Sequence, residues 1–269
     1  MRLDPEEDHK RIVYLDVCYE FPWDTTRALE LALFRTFAVP SIGKLLDSTG
    51  EFYRSAQKRY DDTDLIISTM LEDGYDSPSG RAALRRMNQI HRRFSISNED
   101  YLYVLSTFVL EPVRWNECFG WRRMVDHERL ANLHCWRAIG RRMNITDIPQ
   151  TYAALDSFNR DYEREHFSST DATQRVGVAT RNMFLDWFPH LVRGLATHSI
   201  YALLDDRLLR AFGFPQPSPV ARRVIVGSLR ARARLLRLLP QRRRPRLRTQ
   251  IKHRTYPSGY RLDSLGPEG

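Results

Sequence analysis

The sequence predicts an all-α protein. Three observations carry that expectation. Helix-opening signals recur along the whole chain. Long alternating β-branched runs and Asn-Gly hairpin turns are missing. One stretch, 78–94, sorts its side chains onto an apolar and a basic helical face. These signals point to roughly eight to ten helices joined by short loops in one large domain, a usual size for this length, without an internal repeat.

Residues 1–23 open on acidic and basic residues and read as a polar segment, with no apolar core of a secretory signal. Asp24 is placed to cap a helix through Phe37. Ser48-Thr49-Gly50-Glu51 has the spacing of a capping box, a hydroxyl three residues ahead of a carboxylate. Asp61 and Asp62 precede Leu65-Ile66-Ile67, and Gly74 offers a stop. Ser77-Pro78 opens the next helix with proline at its tolerated first position. Ser97, Asp126, Thr151 and Thr170 open four more.

Helix 78–94 carries the most information. Ala83, Leu84, Met87, Ile90 and Phe94 form one apolar stripe, while Arg81, Arg85, Arg86, Arg92 and Arg93 lie outside it. His91 falls inside the stripe. A histidine on an apolar wall is either a hydrogen-bonded core side chain or a neutral ligand of the kind haem iron takes. Position alone leaves both readings open.

The net charge of +9 belongs to one segment. Residues 220–254 hold thirteen Lys/Arg and no Asp/Glu, so the rest of the chain is mildly acidic. A general nucleic-acid-binding surface is therefore not expected. Residues 219–239 read as a basic amphipathic helix: five of its six arginines share half the wheel, and only Arg232 intrudes on the apolar half. Such a helix either lies on an anionic membrane surface or packs on the domain with its arginines solvated. The remainder, 240–269, is rich in Pro, Gly and Arg and reads as a basic tail extended over the surface.

Other chemistries find little support. The chain has no GxGxxG, GxxxxGK[ST] or GxSxG motif. Glu163-x-x-His166 is only half of a ferritin-like di-iron site, and His127-Glu128 lacks the second zincin histidine. Cys18, Cys118 and Cys135 are odd in number and far apart, as suits free thiols in a reducing compartment. No apolar run reaches the length of a spanning helix. The expectation is a cytoplasmic protein, or one peripheral to a membrane.

Ordered words in the sequence say more. Phe34-Arg35-Thr36-Phe37-Ala38-Val39-Pro40-Ser41 is followed by Thr49-Gly50-Glu51-Phe52 and Lys58-Arg59-Tyr60-Asp61-Asp62-Thr63. Then come Gly80-Arg81, Arg86-Met87-Asn88-Gln89-Ile90-His91, Asp100-Tyr101-Leu102-Tyr103, Pro112-Val113-Arg114-Trp115 and Gly120-Trp121-Arg122. The later blocks are Trp136-Arg137, Gly140-Arg141-Arg142-Met143, Asp147-Ile148-Pro149 and Tyr162-Glu163-Arg164-Glu165-His166-Phe167. In this order and spacing, over roughly 25–255, the chain resembles the haem-dependent oxygenases that cleave rubber and the mycophenolic-acid side chain. It looks closer to the mycophenolic-acid branch and its bacterial members.

The resemblance implies a helical oxygenase domain over 24–218, with a globin-like core enclosing haem b. It implies dioxygen as co-substrate and oxidative cleavage of a carbon–carbon double bond in an isoprenoid or other long apolar substrate. His91 takes the place of the axial iron ligand, and Arg59 and Thr63 those of two residues lining the haem pocket. Glu51 stands nearest the glutamate credited with base chemistry in the rubber branch, at a shorter separation. The rubber branch carries a lysine just before the threonine; this chain has Asp62. Phe94, Phe108, Trp115, Trp121, Trp136 and Trp187 are candidate walls for an apolar channel. Two alternatives stand beside this reading: a haem-binding sensor or carrier, and a cofactor-free helical module that binds a membrane or partner through the basic helix.

Overall fold

Hydroxyl caps and prolines set several of the helix starts in the computed structural model, which describes residues 3–267. Ser77 Oγ accepts from the Gly80 N–H at 2.9 Å, Ser97 from Asp100 at 3.0 Å, Thr151 from Ala154 at 3.2 Å and Thr170 from Thr173 at 3.2 Å. Each satisfies a first-turn donor that has no partner within its helix. Among the described residues there are thirteen α-helices and no strand. In order they are α1 (His9–Leu15), α2 (Pro22–Thr36), α3 (Pro40–Thr49), α4 (Glu51–Arg54), α5 (Ala56–Glu72), α6 (Pro78–His91) and α7 (Asn98–Phe119). Then follow α8 (Asp126–Arg142), α9 (Tyr152–His166), α10 (Asp171–Leu185), α11 (Arg193–Leu203), α12 (Asp206–Ala211) and α13 (Pro219–Leu236). The all-α expectation holds; the count exceeds eight to ten because short helices such as α4 and α12 carry too few residues to show a period.

The long helix α7 is the axis of the body. Leu102, Leu105, Val109, Leu110 and Val113 are buried along it. Helices α2, α8 and α9 pack against it, and α5 packs against α6. Beside α7 lies a buried ionic network. Arg35 donates to both oxygens of Glu163 at 2.8 and 2.5 Å and to Asp205 at 2.6 Å, with Glu111 at 3.7 Å. Arg114 joins Glu111 to Asp156, both at 2.7 Å, and the Tyr103 hydroxyl donates to Glu163 at 3.1 Å. Residues from four sequence blocks thus meet in one framework. Glu163 serves Arg35, and His166 stacks on Tyr162 with ring centroids 4.0 Å apart.

Several sequence expectations need correction. Asp24 does not cap α2: it lies buried inside the first turn, accepting from Trp115 Nε1 and from Arg232, each at 3.0 Å. Ser48 does not open a capping box, because it belongs to the last turn of α3, which ends at Gly50 in the left-handed conformation, φ 69°. Asp61 and Asp62 lie in the middle of α5. Helix 78–94 ends at His91. The supposedly polar N-terminal segment is partly core: α1 packs on α8, and Ile12, Val13, Cys18 and Phe21 are buried. Helix α13, the basic amphipathic segment, packs on α11 and α7. Arg232, the one arginine misplaced on the wheel, pairs with Asp24 and stands 3.8 Å over the Trp23 ring.

The tail is held more closely than composition reveals. Residues 246–266 are fastened to the body, mostly to carboxylates of α5. The Arg246 N–H donates to the Cys18 carbonyl at 2.9 Å. Arg248 pairs with Asp64, and Thr249 donates to Glu72 at 2.5 Å. His253 is buried, donating to the Arg248 carbonyl at 2.9 Å and standing 3.6 Å from Asp61. Thr255, Tyr256 and Gly266 donate to Asp61 or Asp62 at 2.8, 2.5 and 2.9 Å. The tail was expected to extend over the surface; what composition does not reveal is that α5 supplies counter-charges that hold it there.

Candidate active site

Helix α5 repeats its cavity-facing residues at helical spacing: Arg59, Thr63, Ile66 and Ile67 share one face. Helix α6 does the same with Met87, Ile90 and His91. The two faces bound a cavity of about 470 Å³, within the ~300–1,000 Å³ usual for small-molecule and cofactor sites. Leu45 and Leu46 of α3, Glu51 of α4, and Tyr101, Val104 and Phe108 of α7 complete much of the wall, with Trp136 of α8. Glu51, Arg59, Thr63 and His91, from three successive helices, therefore line a single cavity.

Their electrostatics differ sharply. Neither ring nitrogen of His91 has a hydrogen-bond partner among the described residues, and Nδ1 is fully buried. Burial, aided by the Arg59 charge, pulls its pKa down to about 4, so the imidazole is neutral at physiological pH. The edge of Tyr101 packs on the ring, centroids 5.5 Å apart. Arg59 makes no side-chain hydrogen bond or ion pair among the described residues; its guanidinium stands 5.0 Å over the Phe52 ring. Burial lowers its pKa, and Glu51 and Asp62 offset this only in part. An enclosed guanidinium without a bonded carboxylate side chain and a neutral imidazole without a protein donor or acceptor are both costly to keep. They are what an acidic cofactor with a coordinating metal would satisfy.

Thr63 is otherwise engaged: its hydroxyl donates to the Arg59 carbonyl at 2.9 Å, leaving an acceptor lone pair for the cavity. Glu51 is held by Arg54 at 3.0 Å. Asp62 binds Lys58 at 2.9 Å and the tail, and is accordingly a structural clamp. Of the six candidate aromatic walls, Phe94, Phe108 and Trp136 line the cavity. Trp115, Trp121 and Trp187 instead donate to Asp24, the Glu20 carbonyl and Gln57. Sequence reasoning missed Tyr101, Gly266 and Pro267 as wall residues. Tyr101 sits in a recognisable block; nothing local marks the other two.

Over residues 26–238 the chain matches a family described as ER-bound oxygenase mpaB/B'/rubber oxygenase, catalytic domain. It is 28% identical over 238 residues to the ER-bound oxygenase mpaB' of Penicillium brevicompactum, covering 82% of this chain and 56% of that protein. It is 27% identical over 210 residues to the ER-bound oxygenase mpaB of Penicillium roqueforti (strain FM164), covering 71% and 70%. With the ER-bound oxygenase mpaB of Penicillium brevicompactum it shares 31% identity over 165 residues, covering 55% and 42%. The chain thus spans little more than half the length of the first of these relatives. Among the described residues, no helix is long and apolar enough to cross a membrane.

Proposed function

This chain belongs to the mpaB and rubber oxygenase catalytic-domain family, and we propose that it is a haem b-dependent oxygenase whose iron is held by His91. One observation carries the reading: an unpartnered neutral imidazole and an unpartnered guanidinium face the same apolar cavity. His91 would supply the axial nitrogen. Arg59 would hold a propionate, for which its planar fork is suited. Bound there with one protein ligand, haem would supply an iron able to bind and activate dioxygen, with pocket polarity steering the outcome.

The chain's own residues define the rest. Leu45, Leu46, Ile66, Val104 and Phe108 exclude water and favour a long apolar substrate, such as an isoprenoid chain with a carbon–carbon double bond. Tyr101 fixes the plane of the His91 ring. Thr63 presents an oxygen that can orient a polar group within this apolar space. Glu51 can accept a proton at a carboxylate oxygen, at the cost of its bond to Arg54. The basic helix α13 suits an anionic membrane surface from which such a substrate is drawn. Val220, Val224, Leu235, Leu238 and Leu239 are exposed near its arginines.

The test is direct. Purified protein should carry stoichiometric haem b by pyridine haemochrome and consume oxygen with an apolar alkene. Haem without uptake favours a sensor or carrier; no haem at all ends the reading. Sedimentation with anionic liposomes at low salt tests the membrane part separately, and protein left wholly in the supernatant removes it.

A further inference from the structure

Residues 262–267 lie beyond the family match, yet they reach the cavity. Gly266 and Pro267 line it, and Leu265 is fully buried in the main core. The backbone here is gripped from both cavity helices. From α6, Arg86 Nε donates to the Leu265 carbonyl at 2.5 Å. From α5, Lys58 Nζ donates to the Gly266 carbonyl at 2.7 Å, while the Gly266 N–H donates to Asp62 at 2.9 Å. The other Asp62 oxygen accepts from the Tyr256 hydroxyl at 2.5 Å. Both oxygens of one buried carboxylate are thus occupied by tail groups.

The close approach requires glycine. Gly266 has φ +98°, and a Cβ there would sit 2.5 Å from Ile90 Cδ1. Ile90 is itself a wall residue and the immediate neighbour of His91. The tail therefore braces the helix bearing Arg59 and Thr63 against the helix bearing His91, and it lines the cavity that both face.

We propose that residues 262–267 are a built-in wall of the cavity, clamped by Asp62, that sets how large an apolar molecule reaches His91. The proposal rests on the cavity being the active site. It makes Gly266 and Pro267 determinants of substrate size and Asp62 a positioning residue.

Two variants act in opposite directions. Asp62→Asn keeps the size of the clamp but removes its charge and half its accepting capacity. Pro267→Trp leaves the clamp intact and thickens the wall. On haem-loaded protein, imidazole and 4-phenylimidazole association is followed by the shift of the Soret band. Asp62→Asn should speed the bulky probe about tenfold, the equivalent of one charge-assisted hydrogen bond, and imidazole far less. Pro267→Trp should slow the bulky probe by a similar factor. Unchanged rates in both variants, or equal changes for both probes, overturn the proposal. If Asp62→Asn does not fold, Pro267→Trp decides alone. If the protein takes up no haem, the oxygenase reading fails by itself. Fluorescence of 8-anilinonaphthalene-1-sulfonate then tests the wall: binding should strengthen in Asp62→Asn and weaken in Pro267→Trp, and equal binding across wild type and both variants rejects it.

Discussion

Arg35 and Arg59 come from recognisable sequence blocks, and both are enclosed, yet their surroundings are opposite. Around Arg35, Glu163, Asp205 and Glu111 stand within ion-pair distance. Burial opposes its charge, but the three carboxylates outweigh burial and hold its pKa well above the usual value. Arg59 has a phenylalanine ring and no bonded acid among the described residues, and its pKa falls. The same contrast separates two histidines. His253 is raised: burial works against it, and the nearby Asp61 carboxylate and the Arg248 carbonyl prevail. His91 has no such partners and drops to about 4. Of these four residues, the two with partners in the chain are framework, and the two without face the cavity.

The largest test of this contrast is stability. Arg35→Met leaves buried carboxylates without their cation and should cost about 3–5 kcal/mol in urea unfolding. Arg59→Met strands no buried acid. Before haem is added it should stay within about 1 kcal/mol of wild type or become more stable. After haem loading, Arg59→Met should release haem more readily, by about 1.5–3 kcal/mol for a lost charge-assisted bond. Equal losses in the two haem-free variants would break the comparison.

The histidines sharpen it through pH. His91 resists protonation in the folded state, so haem-free protein loses stability as pH falls from 6.5 towards 4. This group alone contributes on the order of 3 kcal/mol to that loss. His253 has the opposite sign: its contribution is present below pH 6.5 and is lost as pH rises through its raised value. Relative to wild type, His91→Ala should therefore improve on acidification while His253→Ala worsens. Unfolding curves between pH 5 and 8 check both. Parallel behaviour would mean the two imidazoles share one environment.

How much was legible follows from the same distinction. Caps that act within four residues, at Ser77, Ser97, Thr151 and Thr170, could be read from the sequence. Asp24, Asp61 and Asp62 looked like caps because cap chemistry is also ion-pair chemistry, and their partners lie roughly 190–210 positions away in sequence. The attachments of the tail were invisible for that reason. His91 was visible as a polar residue on an apolar stripe, but its pairing with Arg59 and Thr63 came only from the family resemblance. No local pattern revealed that Gly266 and Pro267 reach their cavity. Glu51 was weighed as a capping carboxylate; it faces the cavity and pairs with Arg54.

A smaller effect is expected at Thr63. Its hydroxyl bonds the Arg59 carbonyl of its own helix, so Thr63→Val should alter stability by less than about 1 kcal/mol. Haem should be retained while oxygen uptake slows, because an oxygen facing the cavity is replaced by a methyl group. Uptake equal to wild type would leave Thr63 a helix residue only.

Whether His91 holds haem iron is decided by the haem content and Soret spectrum of His91→Ala. Alanine favours helix, so α6 should persist and the fold with it. The variant should be folded and should have lost haem or hold it only weakly, with an altered spectrum. Full haem with an unchanged Soret band would contradict it and move the search to His134 and His166, neither of which lines the cavity.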